Sequence, residues 1–206
     1  AKLRNLGSFI RFLDLAASEN GNMVSYSNIA GDVHCDYKTV QEYYQILEDT
    51  LIGFFLPGYS KSTRKQISKA AKFYFFDTGV QRALARKLDA PLVAKTKDYG
   101  KAFEHFFIAE LIRLASYRRK DLSLSYYRTK DDAEVDLIVD RLDGKCFAIE
   151  IKSSDSVRVN KLTGLKSFKE VRPGAELLCA SLVSMACGDD EITILPWQQV
   201  LERVLE

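Results

Sequence analysis

Two acids and a lysine stand where the interior of a sheet is expected. In "AEVDLIVDRLDGKCFAIEIKSS", Ala133 to Ser154, apolar and polar residues alternate on either side of Asp143-Gly144, the pattern of two strands joined by a turn. Asp136, Glu150 and Lys152 interrupt it. Strand side chains alternate between faces, so Glu150 and Lys152 share one face and Ile149 and Ile151 point to the other. Glu134 and Asp136 likewise share a face, opposite Val135, Leu137 and Val139. A hairpin register through the turn brings Asp136 toward Glu150. Two carboxylates that close repel by about 1 kcal/mol in water and about four times that near a protein surface. A divalent cation relieves the repulsion, and oxygen ligands with open positions suit Mg²⁺ or Mn²⁺. A lysine two residues after the second acid can orient or help deprotonate an attacking water, or stabilise a phosphorane-like transition state. The chemistry is metal-dependent hydrolysis of a phosphodiester. The plain alternative is a cross-strand salt bridge on an exposed sheet face, worth little.

The elements that must position these residues lie in the second part of the chain. "YGKAFEHFFIAELIRLASYRRK" is an amphipathic helix led by Phe103, Phe106, Phe107, Leu111 and Leu114. "LSLSYYRT", "AEVDLIVDR" and "KCFAIEIKSS" alternate as strands. A helical piece follows around residues 160–170, then the evenly apolar strand "AELLCASLVS", expected to be buried on both faces. "ITILPWQQVLERVLE" closes with a short strand and a helix that Pro196 starts. The order is αβββαβ, with additions.

The first part reads differently. Leu6, Phe9, Ile10, Leu13 and Ala17 recur at helical spacing until Asn20-Gly21-Asn22. Ser25 or Ser27 caps a short helix, and Asp36 caps a third one whose apolar face is Val40, Tyr43, Tyr44, Leu47 and Leu51. "IGFFLPGY" and "AKFYFFD" follow as a hairpin, which makes the unit a winged helix-turn-helix. Lys61, Arg64, Lys65, Lys69 and Lys72 lie between or beside those strands with no acid among them, and suit a phosphate backbone. The exposed side of the third helix offers Lys38, Thr39, Gln41 and Gln45 to phosphates or base edges. A solvated basic loop on a protein-contact module accounts for the same residues. "FFDTGVQRALARKL" is a connecting helix ending before Pro91.

The 206 residues carry 47% hydrophobic and 28% charged residues and a net charge of +2, an ordinary globular balance that announces no partner by itself. No apolar run approaches a membrane span and no signal-peptide pattern opens the chain. It begins at Ala1 and runs straight into helix-like sequence, so a fragment of a longer protein is expected. Cys35, Cys146, Cys179 and Cys187 form no CxxC pair; free thiols in a cytoplasmic protein are expected, and His34-Cys35 has no second ligand pair to complete a zinc site.

Asp136, thirteen intervening residues, then Glu150-Ile151-Lys152 resembles the PD-(D/E)XK signature of the restriction-endonuclease-like nucleases. The resemblance implies an αβββαβ core, metal binding by Asp136 and Glu150, and water positioning by Lys152. It also implies a supporting acid on the first core helix, where Glu104 stands in "GKAFEHF". Val135 replaces the usual proline before the aspartate, a change that family tolerates. Across nearly the whole chain, "KTVQEYYQILEDTLIGFFL", "KFYFFDTGV", "YGKAFEHFFIAEL" and "YYRTKDDAEVDLIV…FAIEIKSS" resemble the C-terminal half of bacterial and archaeal AAA+-type ATPases. There a P-loop ATPase domain precedes a winged helix and a nuclease-like domain. No GxxxxGK[ST] occurs in this chain, so no ATP is expected to bind by that route.

Two domains are expected: a winged helix over residues 1–90 and a restriction-endonuclease-like α/β domain over 96–206. The leading expectation is a DNA-binding, nuclease-like region using Mg²⁺ or Mn²⁺, with catalytic residues Glu104, Asp136, Glu150 and Lys152. Metal would lie on Asp136, Glu150 and Glu104. Nucleic acid would meet Lys38, Lys61, Arg64, Lys65, Lys69 and Arg128, though Arg128 serves equally as a surface partner of Asp131 or Asp132. DNA and the ATPase domain of the same parent chain are the expected partners. Two other readings stand beside it: a module with idle acids that docks the ATPase on DNA or protein, and a transcription regulator acting through the winged helix alone, which leaves the Glu150-Ile151-Lys152 motif unexplained. Ser153 and Ser154 contact substrate or cap the following turn. His105 and the Tyr126-Tyr127 pair read as packing residues.

Overall fold

The computed structural model describes residues 6–60 and 70–206. The chain divides into two compact units, Ala1–Leu56 with Ser68–Pro91, and Pro57–Ile67 with Leu92–Glu206.

The first unit is α1 (Leu6–Ser18), α2 (Tyr26–Val33), α3 (Tyr37–Asp49), β1 (Gly53–Leu56), β2 (Lys72–Phe75) and α4 (Thr78–Leu84). His34 closes α2 in the left-handed conformation, φ 55°, and two residues later Asp36 caps α3 by accepting from the Thr39 backbone N–H at 3.0 Å. The short link packs α2 against α3. β1 and β2 are antiparallel, from Gly53 opposite Phe75 to Leu56 opposite Lys72. A Cβ on Gly53 would stand 2.2 Å from the Phe73 ring, so only glycine fits there. The segment after α1 lines the other side of β2: the Gly21 N–H donates to the Phe73 carbonyl and that of Val24 to Ala71, both at 2.8 Å. With partners on both sides, β2 is fully buried. Phe12, Val40, Tyr43, Tyr44, Leu47, Phe73 and Phe75 form the core.

The second unit is α5 (Lys97–Tyr117), β3 (Leu122–Arg128), β4 (Glu134–Arg141), β5 (Cys146–Lys152), a 3-10 turn (Val159–Lys161), α6 (Thr163–Val171), β6 (Glu176–Ser181), β7 (Cys187–Gly188), β8 (Ile192–Pro196) and α7 (Trp197–Leu205). From α5 to β6 this is the αβββαβ order. The strands form one mixed sheet, ordered β3-β4-β5-β6-β8-β7. β3, β4 and β5 are an antiparallel meander, β6 joins β5 in parallel, and β8 joins β6 in parallel. Residues 57–59 extend the sheet beside β3, where Tyr59 N donates to Tyr126 O at 2.6 Å and Tyr126 N to Pro57 O at 2.9 Å.

Six of the seven β5 residues, Cys146 to Ile151, are buried, because the meander strand lies centrally with helices over both faces. One face packs Val135, Ile138, Ala148, Leu177 and Cys179 under Leu165 and Phe168 of α6; the simple alternation expected along β4 breaks between Val135 and Ile138, where a bulge shifts the register against β3 and brings both to this face. That contact is close: a Cβ on Gly164 would stand 1.8 Å from the Glu134 carbonyl oxygen, so the start of α6 lies directly on the start of β4. No helix among the described residues is long and apolar enough to cross a membrane.

Candidate functional site

The β4–β5 ladder runs from Asp140 opposite Cys146 to Leu137 opposite Ile149. One further step would set Asp136 opposite Glu150. There the ladder stops, and the Ile151 N–H donates at 2.7 Å to Oδ2 of Asp136. A side-chain carboxylate takes the place of a strand carbonyl, which fixes Asp136 at the mouth of the hairpin beside Glu150 and Lys152.

Glu150 continues the β5 face of Cys146 and Ala148, and its side chain is only 11% exposed. Oε1 accepts from Lys152 Nζ at 2.5 Å. Oε2 is buried and has no hydrogen-bond partner among the described residues. Burial pushes the Glu150 carboxyl above its ordinary value, and the Lys152 ammonium offsets this only in part; Glu104 and Glu134 push the same way as burial. For Lys152, burial works against the charged amine, but the attraction of Glu150 and then Asp136 outweighs it and holds its pKa above the usual lysine value. The lysine therefore stays charged beside a carboxylate that resists charge. Its side chain is 42% exposed, so the ammonium joins the buried acid to solvent.

Hard carboxylate oxygens, one of them buried without a partner, suit Mg²⁺ or Mn²⁺, which binds through one or two carboxylates plus water and substrate phosphate. Among the described residues no group of three or more His, Cys, Asp and Glu side chains is placed to hold a metal ion. Glu104 on α5 acts on Glu150 through its charge and does not converge with it and Asp136 into a three-carboxylate cluster. Asp136 and Glu150 share Lys152: Glu150 bonds its ammonium and Asp136 acts on it through its charge.

Beside Lys152, past the C-terminal end of β5, lies a cleft of about 360 Å³. Lys152, Arg158 and Lys161 line it together with Ser154 and Ser156, over an apolar floor of Val157 and Leu162. Ser154 Oγ accepts from the Ser156 N–H at 3.1 Å and donates to the Ser156 carbonyl at 2.8 Å, so it caps this turn. Arg158 and Lys161 are absent from the expected site residues. Their only signal in the sequence is two cations in "SDSVRVNK" just after the lysine strand, which has no periodicity to mark a surface.

The remaining site residues fall elsewhere. Arg128 pairs with Asp132 at 2.8 Å and lies 3.6 Å from Glu134; of its two expected uses, the surface pair is the one formed. Lys38 is exposed on α3. Its neighbours there are engaged, Thr39 with Asp36 and Gln45 with Asp49. Lys61, Arg64, Lys65 and Lys69 lie outside the described residues. Lys72, expected at a basic hairpin tip, is instead 5% exposed, because β2 is covered on both sides. His105, Tyr126 and Tyr127 are buried. All four cysteines are free.

Residues 1–91 match the family model described as "Domain of unknown function (DUF8612)", and residues 99–200 the one described as "Domain of unknown function (DUF4143)". Two curated relatives are the "Uncharacterized protein Mb2031c" of Mycobacterium bovis and the "Uncharacterized protein Rv2008c" of Mycobacterium tuberculosis. Each is 26% identical over 147 residues, covering 71% of this chain and 32% of the relative. The aligned stretch thus spans about a third of each relative's length. No solved structure matches the chain significantly.

Proposed function

We propose that the second unit is a metal-dependent nuclease domain of the PD-(D/E)XK kind, the first unit a winged helix that meets DNA through α3, and the two together the C-terminal region of an AAA+-type ATPase. The observation that carries the hydrolytic reading is Glu150. A carboxylate buried to 11% exposure, with one oxygen unpartnered and its ionisation opposed by burial, is a costly device in a sheet with no use for it. A cation would use that oxygen together with Asp136.

Each residue has a task in such a site. Asp136 is clamped by the Ile151 N–H, so its carboxylate is oriented before anything binds. Glu150 adds the second negative ligand. Lys152, held protonated by the two acids, can turn its ammonium from Glu150 to a water or to a phosphate oxygen where charge develops. Glu104 adds negative potential from α5 and strengthens the attraction for a cation. Bound Mg²⁺ or Mn²⁺ would polarise the scissile phosphate and lower the pKa of its water. The stretch aligned to the relatives covers 32% of each of them, which leaves room in a parent chain for the ATPase domain the resemblance implies.

One observation favours a second reading, a module with idle acids that docks its parent on DNA or protein: Lys152 already neutralises Glu150 at 2.5 Å. Calorimetric titration of the chain with Mn²⁺ separates the two. Uptake by the wild type that disappears in Asp136→Ala and Glu150→Ala is the expected result. A folded wild-type chain that takes up no Mn²⁺ overturns the hydrolytic reading in favour of docking.

A further inference from the structure

We infer that the cleft formed by Lys152, Arg158 and Lys161 holds a phosphate of the nucleic-acid strand adjacent to the one presented to Asp136 and Glu150, so that the substrate is a strand continuing past the site along residues 154–162. This rests on the hydrolytic reading above and names how its substrate is gripped.

Four observations carry it. The cleft is lined by three cations and no acid; Lys152 is held by Glu150 beside the cleft, and Arg158 and Lys161 carry the charge left to attract an anion. Among the described residues Arg158 and Lys161 are exposed and make no side-chain hydrogen bond or ion pair, unlike Arg113, Arg118, Arg128, Arg141, Arg172 and Arg203, which all have carboxylate partners. Unpaired cations that converge on a concave wall are poised for a ligand. Third, Val157 and the buried Leu162 form an apolar floor, which suits the sugar of a nucleotide better than a bare inorganic anion. The volume of about 360 Å³ has room for a nucleotide unit. Finally, Lys152 belongs both to the cleft wall and to the carboxylate site, so an anion bound in the cleft lies next to the reacting group.

The test is fluorescence anisotropy on the full chain with a 12-nucleotide single strand, as DNA and as RNA, in EDTA over a range of salt. Arg158→Ala with Lys161→Ala is compared with a charge-matched control, Lys145→Ala with Lys166→Ala, whose residues are exposed but outside the cleft. The expected result is about tenfold weaker binding for the cleft variant and a log–log salt slope shallower by about 1.4, two released counterions at about 0.7 each. The control should move both quantities far less. Unchanged affinity and slope in the cleft variant, or an equal loss in the control, overturns the inference, as does a wild type that binds neither strand. A polyglutamate of equal charge that displaces the strand equally well also overturns it, since the cleft would then read charge alone. The difference between the DNA and RNA arms says which strand the sugar floor accepts. Mn²⁺ uptake measured in parallel keeps the two claims apart. Strand binding that depends on Arg158 and Lys161 without Mn²⁺ uptake supports the cleft and removes the hydrolytic reading. Mn²⁺ uptake with strand binding indifferent to Arg158 and Lys161 does the reverse.

Discussion

Replacing Glu150 with methionine should stabilise the metal-free protein and destroy its response to metal. The wild-type carboxylate is 11% exposed, its Oε2 has no partner among the described residues, and its pKa is raised above the ordinary value of 4.5, burial being the main cause. A folded-state carboxyl with a raised pKa holds more protons than its unfolded counterpart across the interval from about 4.5 up to the raised value. Stability therefore falls as pH climbs through that interval, and the loss persists at every higher pH. An unsatisfied buried polar group costs about 1–3 kcal/mol. Lys152 returns part of this through Oε1, so a net gain of about 1 kcal/mol is expected for Glu150→Met at pH 8, where the lysine, 42% exposed, can turn to water. For a chain of this size that is about 2–4 °C in Tm. The advantage should vanish below pH 4.5, where the wild-type carboxyl is protonated in both states. Mn²⁺ at a hundredfold excess over its Kd stabilises the wild type by about 2.7 kcal/mol and leaves the variant unmoved, so the order of the two melting points inverts. Scanning calorimetry at pH 4 and pH 8, with and without Mn²⁺, reads all four states. A Glu150→Met chain that is less stable than the wild type at pH 8 without metal would refute the reasoning, because Glu150 would then be a net-favourable structural partner of Lys152.

Two further outcomes follow from packing and burial. Gly164→Ala drives a Cβ to 1.8 Å from the Glu134 carbonyl, so α6 must lift off β4; a loss of about 1–3 kcal/mol is expected in denaturant titrations, along with weaker Mn²⁺ uptake because β4 carries Asp136. Thiol labelling at pH 8 should show Cys187, which is exposed, reacting first. Cys35 follows slowly because burial raises its pKa, and Cys146 and Cys179, both pushed up to about 12 by burial, react only on unfolding.

What the sequence made legible was local. Asp143-Gly144 with alternation on either side sufficed for the β4–β5 hairpin, and a two-residue spacing sufficed to put Glu150 and Lys152 on one face, where they form an ion pair. Asp36 read as a cap because capping needs only the next three residues. The features that escaped depend on partners far along the chain. Lys72 reads as a basic loop residue until the segment after α1 covers the far side of β2. Residues 57–59 read as the end of a hairpin, yet their backbone groups pair with Tyr126 nearly seventy residues later. Gly164 carries no turn signal and is small because a strand backbone passes beneath it.

The same division runs through the site. Which residue types could bind a cation is a property of the chain, and Asp136 and Glu150 could be named from it, while Glu104 is implied only by the resemblance to the nuclease signature. How far they converge is a property of the tertiary packing, and in this structure Glu104 contributes its charge to Glu150 without joining a cluster. Neither level alone distinguishes an ion pair from a reacting centre. The energetic sign at Glu150 does, because a residue kept only for stability should not be one whose ionisation the fold opposes. If the carboxylate costs stability without metal and adds it with metal, the sheet has been built around a charge that it tolerates only for the sake of a ligand.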